Sequence, residues 1–441
     1  MMNEDVCRGV ARAWSRRARC AFVCAGLVAM VACGCPYAGL PEALTPYDLE
    51  NDPDGDGSLE TARPLQWVSD QAKAVGGISI DPGNLLAIQS FLGSEIIGLN
   101  MPPASEVDVF ALGPLEAGDQ IRVSAESLVQ QIVNLTPLAR SEMIRNTTSQ
   151  AVFLVDASRE IVGYPVAAPV TIDRPDDYFI VVQSFVPGDY VLTVQRLRDA
   201  PPRPPRRGVL LLQFEGSDSD VTFLEDGHLI TVRDLPPFDL EEARPDFVGQ
   251  SARFQETLRQ FVESIFADYD VLVTLDAAEA EAAGHYDTLV FTVPSPSDLG
   301  FSESGSRTLG IEPTIDVEDQ GNQLGIVFIQ AYEESRYLDF NSYAAFWSTV
   351  AAHEYGHAVG LWHVEQGSGC LMGPSLGGLA EPRRLKPLRS ATKAEAHGRP
   401  SLQLVQNPDR YLARVLGRRD PERAEAVRQA ARALLPDFSV E

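Results

Sequence analysis

The sequence predicts a multidomain chain in which an all-β sandwich precedes an α/β domain with one mixed sheet and a histidine-bearing helix. Three observations lead there. The 441 residues exceed what one ordinary core organises. Short β-branched and aromatic runs recur between turn signals from about residue 76 to 195, the cadence of a sandwich. Beyond a proline-dense break, strand-like runs and a helical stretch lead into AAHEYGHAVGLWH, residues 351–363, an α/β pattern.

Residues 1–35 read as an export signal, because Arg12, Arg16, Arg17 and Arg19 precede the uncharged run AFVCAGLVAMVAC. MVACGC resembles a bacterial lipobox, which makes Cys33 or Cys35 the residue for lipidation, although Met30 stands where Leu is usual. Plain cleavage and an uncleaved anchor are the alternatives. Each route places the mature chain outside the cytoplasm, in the cell envelope or in the medium. Of the six cysteines, Cys7, Cys20, Cys24, Cys33 and Cys35 fall in this segment, so the mature chain keeps Cys370 and no internal disulfide is expected. Thirty-six basic residues against sixty-two acidic ones give a net charge of −26, which disfavours nucleic acid and anionic membranes as partners. Membrane association is expected only through a lipid or an N-terminal anchor.

Residues 36–54 read as an acidic linker. Asp52, Asp54 and Asp56, followed by Gly57, offer alternate carboxylates to Ca2+. The twelfth position from Asp52 is Arg63, where an EF-hand needs glutamate, so a simpler calcium turn or a solvated linker is left. Over 55–197 the runs VDVFAL, QIRVSA, AVFLVD, YFIVVQS and YVLTVQR supply the sandwich strands. DAPPRPPRRG marks a stiff linker over 198–208. In the α/β domain, 209–380, VLLLQF, DVLVTL, DTLVFTV and GIVFIQAY read as strands. Phe254, Leu258, Phe261, Val262 and Ile265 recur at helical spacing near 250–267. The extension 381–441 contains PERAEAVRQAARALL, a helix with Pro421 in its first turn.

Asn341 and Ser342 offer an N-cap to the helix carrying the histidines. His353 and His357, one turn apart, project from nearly the same face and can share an ion. Glu354 is offset by about 100° and faces a water on that ion rather than the ion itself. His363 would point away if the helix continued, but Gly360 can take the left-handed conformation that ends a helix and turns the chain back. Three protein ligands with an open fourth position are what a catalytic Zn2+ site needs.

HEYGHAVGLWH fills every fixed position of HExxHxxGxxH and resembles the metzincin clan of zinc metallopeptidases. GCLMGPS supplies the clan's methionine turn, with Met372 nine residues after His363, a spacing most similar to the matrixin branch. The resemblance implies a zinc-dependent endopeptidase acting on protein or peptide substrates. His353, His357 and His363 would be its metal ligands, Glu354 its general base and Met372 the floor beneath them. It also implies an edge strand within 306–330 that pairs with extended substrate. Ser375 and Leu376 follow Pro374 without the matrixin tyrosine, and no cysteine-switch propeptide is recognisable.

The stretches ENDPDGDGSLETARPL, SEVDVFALGPLEAGDQIRVSAE and DDYFIVVQSFVPGDYVLTVQR resemble the bacterial pre-peptidase C-terminal domain, a jelly-roll-like accessory module. It would serve here as a spacer or adhesion module, preceding the enzyme rather than following it. Two rivals stand beside the metzincin reading. In one, of gluzincin type, Glu381 replaces His363 as ligand. In the other, the chain is a surface binding lipoprotein whose zinc site is structural or inactive, with Cys370 as a fourth ligand. His228, His285 and His397 read as surface histidines, and Trp362 as a packing residue.

Overall fold

The computed structural model describes residues 58–78, 106–126, 152–184, 188–225, 228–299, 309–312, 315–329, 335, 338–364, 369–373, 385–386, 388–389 and 404–435. The export segment with Cys33 and Cys35, the acidic turn at Asp52, Pro374, Glu381 and His397 lie outside them. All the described residues belong to one compact unit.

Nine strands form the N-terminal part: β1 (Arg63–Pro64), β2 (Gln71–Ile78), β3 (Glu106–Leu115), β4 (Gln120–Glu126), β5 (Val152–Asp156), β6 (Ile161–Gly163), β7 (Val170–Thr171), β8 (Asp176–Ser184) and β9 (Gly188–Leu197). They make two sheets, ordered β1-β3-β8-β5-β6 and β2-β9-β4-β7. Every pairing is antiparallel except β1 with β3. Successive strand residues point to opposite faces. Phe110, Leu154 and Ile180 of the first sheet therefore meet Ile121, Val123, Leu192 and Val194 of the second in a shared core. The alternate residues Val107, Val109, Phe153, Val155 and Val181 join a different core, that of the region that follows. The first sheet is thus covered on both faces, which is why β5 is buried at all five positions.

The following region contains β10 (Gly208–Gln213), β11 (Val221–Glu225), β12 (His228–Val232), α1 (Leu240–Ala243), α2 (Ser251–Ile265), β13 (Val271–Thr274), α3 (Ala277–Ala283), β14 (Asp287–Thr292), β15 (Gly310–Ile311), β16 (Leu324–Phe328) and α4 (Phe340–Ala358). Its sheet is mixed, as expected, with order β13-β10-β14-β16-β15; the strands are parallel apart from β15, an antiparallel edge. Leu289, Phe291 and Val327 on one face pack with Phe254, Leu258 and Phe261 of α2 and Trp347 and Val350 of α4. On the other face Ala280 of α3 packs against Val209 and Leu211, and Val221 and Val232 of the β11–β12 hairpin meet Val290, Ile326 and Phe328. The chain closes with β17 (Leu388–Arg389), β18 (Val405–Gln406), α5 (Pro408–Val415) and α6 (Pro421–Leu434), whose N-cap is Asp420.

Several expectations change. The cap of α4 is Asp339, whose carboxylate accepts from Ser342 N at 2.9 Å, so the helix starts ahead of Asn341. A carboxylate there also meets the positive end of the helix dipole. His285 is not a surface histidine: its side chain is 15% exposed, and Nε2 lies 2.8 Å from the buried Asp319 carboxylate. The proline-dense linker is fastened along its length. Gln120 Nε2 donates to the Ala200 and Pro201 carbonyls at 2.9 and 2.7 Å, and Arg203 Nη1 donates to the Glu318 carbonyl at 3.1 Å. Arg206 pairs with Asp319 at 3.0 Å.

Candidate metal centre

Helix α4 presents His353 and His357 toward the chain that returns after Gly360, and the three histidines converge. Among the described residues, His353, His357 and His363 are the one group of three or more potential ligands whose ligand atoms all lie within 4.8 Å of one another. The return depends on the turn: Gly360 has φ of +95°, its N–H donates to the His357 carbonyl at 2.9 Å, and Leu361 N donates to Gly356 O at 2.8 Å. A Cβ at residue 360 would strike the Tyr411 hydroxyl and the backbone of Asp316 and Val317. Glycine is therefore required there by both conformation and space.

The rings are oriented from behind. His353 Nδ1 lies 2.7 Å from the Leu371 carbonyl and His357 Nδ1 lies 2.6 Å from the Leu361 carbonyl. A carbonyl oxygen only accepts, so each Nδ1 carries a proton, and in the neutral ring Nε2 then keeps its lone pair. Yet His353 Nε2 faces His357 Nε2 at 3.1 Å and His363 Nε2 at 3.0 Å. With both rings neutral, as ligands to one ion, the Nε2 lone pairs of His353 and His357 point at each other, an arrangement that a shared cation relieves. Tetrahedral ligands about 2.0–2.1 Å from zinc lie about 3.3 Å apart, close to these separations. Burial, reinforced by the neighbouring rings, holds the His357 and His363 pKa values well below the usual range. Both stay neutral, as metal ligands must.

Glu354 is buried outside this ligand group. Its carboxyl lies against edge strand β15, where a Cβ on Gly310 would fall 2.6 Å from Oε1. Burial, partly offset by a hydrogen bond from the Glu312 backbone, pushes its pKa up to about 8. Glu312 is a residue the sequence reading missed. It is buried, neither of its oxygens has a hydrogen-bond partner among the described residues, and its pKa is raised by burial and then by Asp287 and Glu354. Its position between Ile311 and Pro313 carries no motif that would have disclosed it.

Met372 is fully buried beneath the helix, its sulfur where a Cβ on Gly356 would come within 2.5 Å. Its carbonyl accepts from Val364 N at 2.9 Å, tying the turn to the residue after His363. Cys370 is also buried, and its sulfur accepts from Lys386 N at 3.3 Å rather than joining the histidines. Trp362 packs at 6.3 Å from Phe153 of β5. No second group that could hold a cation such as Ca2+ occurs among the described residues, and no described helix is long and apolar enough to cross a membrane.

Set against known proteins, the chain matches no family model, no curated protein and no solved structure. The class the site defines is therefore a chemical one: three converging imidazoles beside a buried carboxyl group with a raised pKa.

Proposed function

We propose that the protein is an exported zinc-dependent endopeptidase of metzincin type, preceded by a jelly-roll-like accessory module. The observation that carries this reading is the pairing of three Nε2 atoms around one point with a glutamate that stays out of their group. A structural zinc site has no use for such a base and usually closes with a fourth protein ligand. Bound zinc would lower the pKa of a water toward about 7 and polarise the substrate carbonyl.

The remaining steps belong to the chain's own residues. His353 and His357 hold their ring orientations through the Leu371 and Leu361 carbonyls. Glu354 takes the proton of the attacking water and later passes it to the leaving amine; a pKa near neutrality suits both transfers. β15, antiparallel at the sheet edge beside Glu354, offers backbone groups to an extended peptide.

The decisive experiment is proteolysis of a denatured protein by the purified chain, with and without chelator, alongside Glu354→Gln and His363→Ala. Activity lost with chelator, lost in Glu354→Gln with zinc retained, and lost together with zinc in His363→Ala is the expected result. Zinc binding undisturbed by His363→Ala but lost in Glu381→Ala would favour the gluzincin arrangement instead. Zinc bound without any hydrolysis would favour the binding protein.

A further inference from the structure

The three histidines are not held alike. His353 and His357 each have a carbonyl behind the ring, whereas the His363 ring makes its contact at Nε2, to His353. What the structure holds instead is the backbone on either side of that third ring. On its C-terminal side Val364 is tied to Met372 at 2.9 Å. On its N-terminal side Trp362 N donates to Gln406 Oε1 at 2.7 Å, and Gln406 Nε2 donates back to the Trp362 carbonyl at 2.8 Å.

This two-bond clamp comes from β18, forty-three residues beyond His363, and Gln406 is buried at 3% exposure. β18 is in turn fixed from the sandwich. Val405 N donates to the Arg159 carbonyl at 2.8 Å, and Val405 bridges Glu160. Just beyond, Arg410 of α5 bonds the buried Asp156 carboxylate at 2.6 Å and Glu160 at 3.0 Å. The β5–β6 hairpin is thus connected to the residue before His363 by hydrogen bonds to Val405, the Val405–Gln406 peptide link and the Gln406 clamp.

We propose that Gln406 is a positioning residue for the third metal ligand, and that the β-sandwich acts through it as part of the metal centre's scaffold. This rests on the reading of the histidines as a metal site. It gives the C-terminal extension and the sandwich a role that neither the motif nor a spacer function supplies.

The test uses the metal-free full chain titrated with Co2+ and with Zn2+ against a chromogenic chelator, reading affinity and the Co2+ ligand-field spectrum. The variants are Gln406→Ala, Gln406→Glu and His363→Ala, with Arg418→Ala, which removes an exposed ion pair in the same extension, as control. Gln406→Ala should lose on the order of 10- to 100-fold in affinity, the loss typical of removing an outer partner of a ligand. Its Co2+ spectrum should move toward that of His363→Ala. Gln406→Glu keeps the acceptor for Trp362 N and loses the donor, so it should fall between wild type and Gln406→Ala; it also serves should Gln406→Ala fail to fold. Arg418→Ala should bind as wild type does. Wild-type affinity and spectrum in the Gln406 variants would overturn the proposal while leaving the metal site standing. A wild-type chain that binds neither ion would remove the metal reading and this proposal together.

Discussion

Replacing Gly356 by alanine sets two calculable effects against each other. In an exposed helix interior, alanine is favoured over glycine by about 1 kcal/mol. Here the new Cβ would lie 2.5 Å from Met372 Sδ and 3.0 Å from its Cε, against about 3.5–4 Å for an ordinary contact. The sulfur would have to retreat by about 1 Å inside a fully buried setting. Overpacking of this kind costs about 1–3 kcal/mol, so the net change should be zero to about 2 kcal/mol of destabilisation. The displacement should also loosen the Met372 turn, which supplies the Leu371 acceptor of His353 and the Met372 acceptor of Val364. Urea denaturation of the metal-free chain, with and without Met372→Ala, measures the balance. In the Met372→Ala background the clash is gone, and Gly356→Ala should recover its gain of about 1 kcal/mol, leaving a coupling energy of about 1–3 kcal/mol. A gain of about 1 kcal/mol in both backgrounds would refute the idea that glycine 356 makes room for the methionine.

Other consequences can be checked directly. Gly310→Ala would place its Cβ 2.6 Å from Glu354 Oε1 and 2.7 Å from Cγ. For Glu354 in the proposed role of general base, a displacement of about 1 Å should cost about 100-fold in peptide hydrolysis, and zinc stoichiometry by metal analysis should be unchanged. In the metal-free chain, the raised pKa of Glu354 means that the fold holds a proton the unfolded chain releases above about 4.5, so stability falls as pH rises and levels off past about 8. Glu354→Gln removes that liability. Its stability advantage over wild type should open above pH 4.5 and reach on the order of 3 kcal/mol at pH 7, and an equal difference at pH 5 and pH 8 would contradict it. Arg410→Ala strips one partner from the buried Asp156 carboxylate and releases Glu160 and Asp173. A loss of about 3 kcal/mol in chemical denaturation is expected, together with weaker Co2+ binding through the Gln406 path.

Much of the site could be read in the sequence because its geometry is local. A helix fixes the relation of His353, Glu354 and His357, and a glycine three residues after His357 announces the turn to His363. The position of the cap is not legible in the sequence, because Asp339, Asn341 and Ser342 are all good cap residues and only the backbone shows where the first turn closes. The strands of both sheets stood out in runs such as VFLVD and VLLLQ, but which sheet faces were covered did not. A short, fully apolar run reads the same whether its second face meets a partner sheet, a helix or another region. Gln406 and Glu312 left no trace. Each acts on residues distant in the chain, one through β18 against Trp362 and the other beside Glu354, and no spacing encodes such pairings.

The core that Val107, Val109, Phe153, Val155 and Val181 share with Tyr411, Leu412 and the α4 side chains has a practical bearing on how the chain can be divided. Severing it at the proline-dense stretch would not release two self-contained domains. Each fragment would carry an oily wound where the other had been, and exposed apolar patches of that sort drive aggregation. Shortened expression variants should therefore keep both sides of that seam.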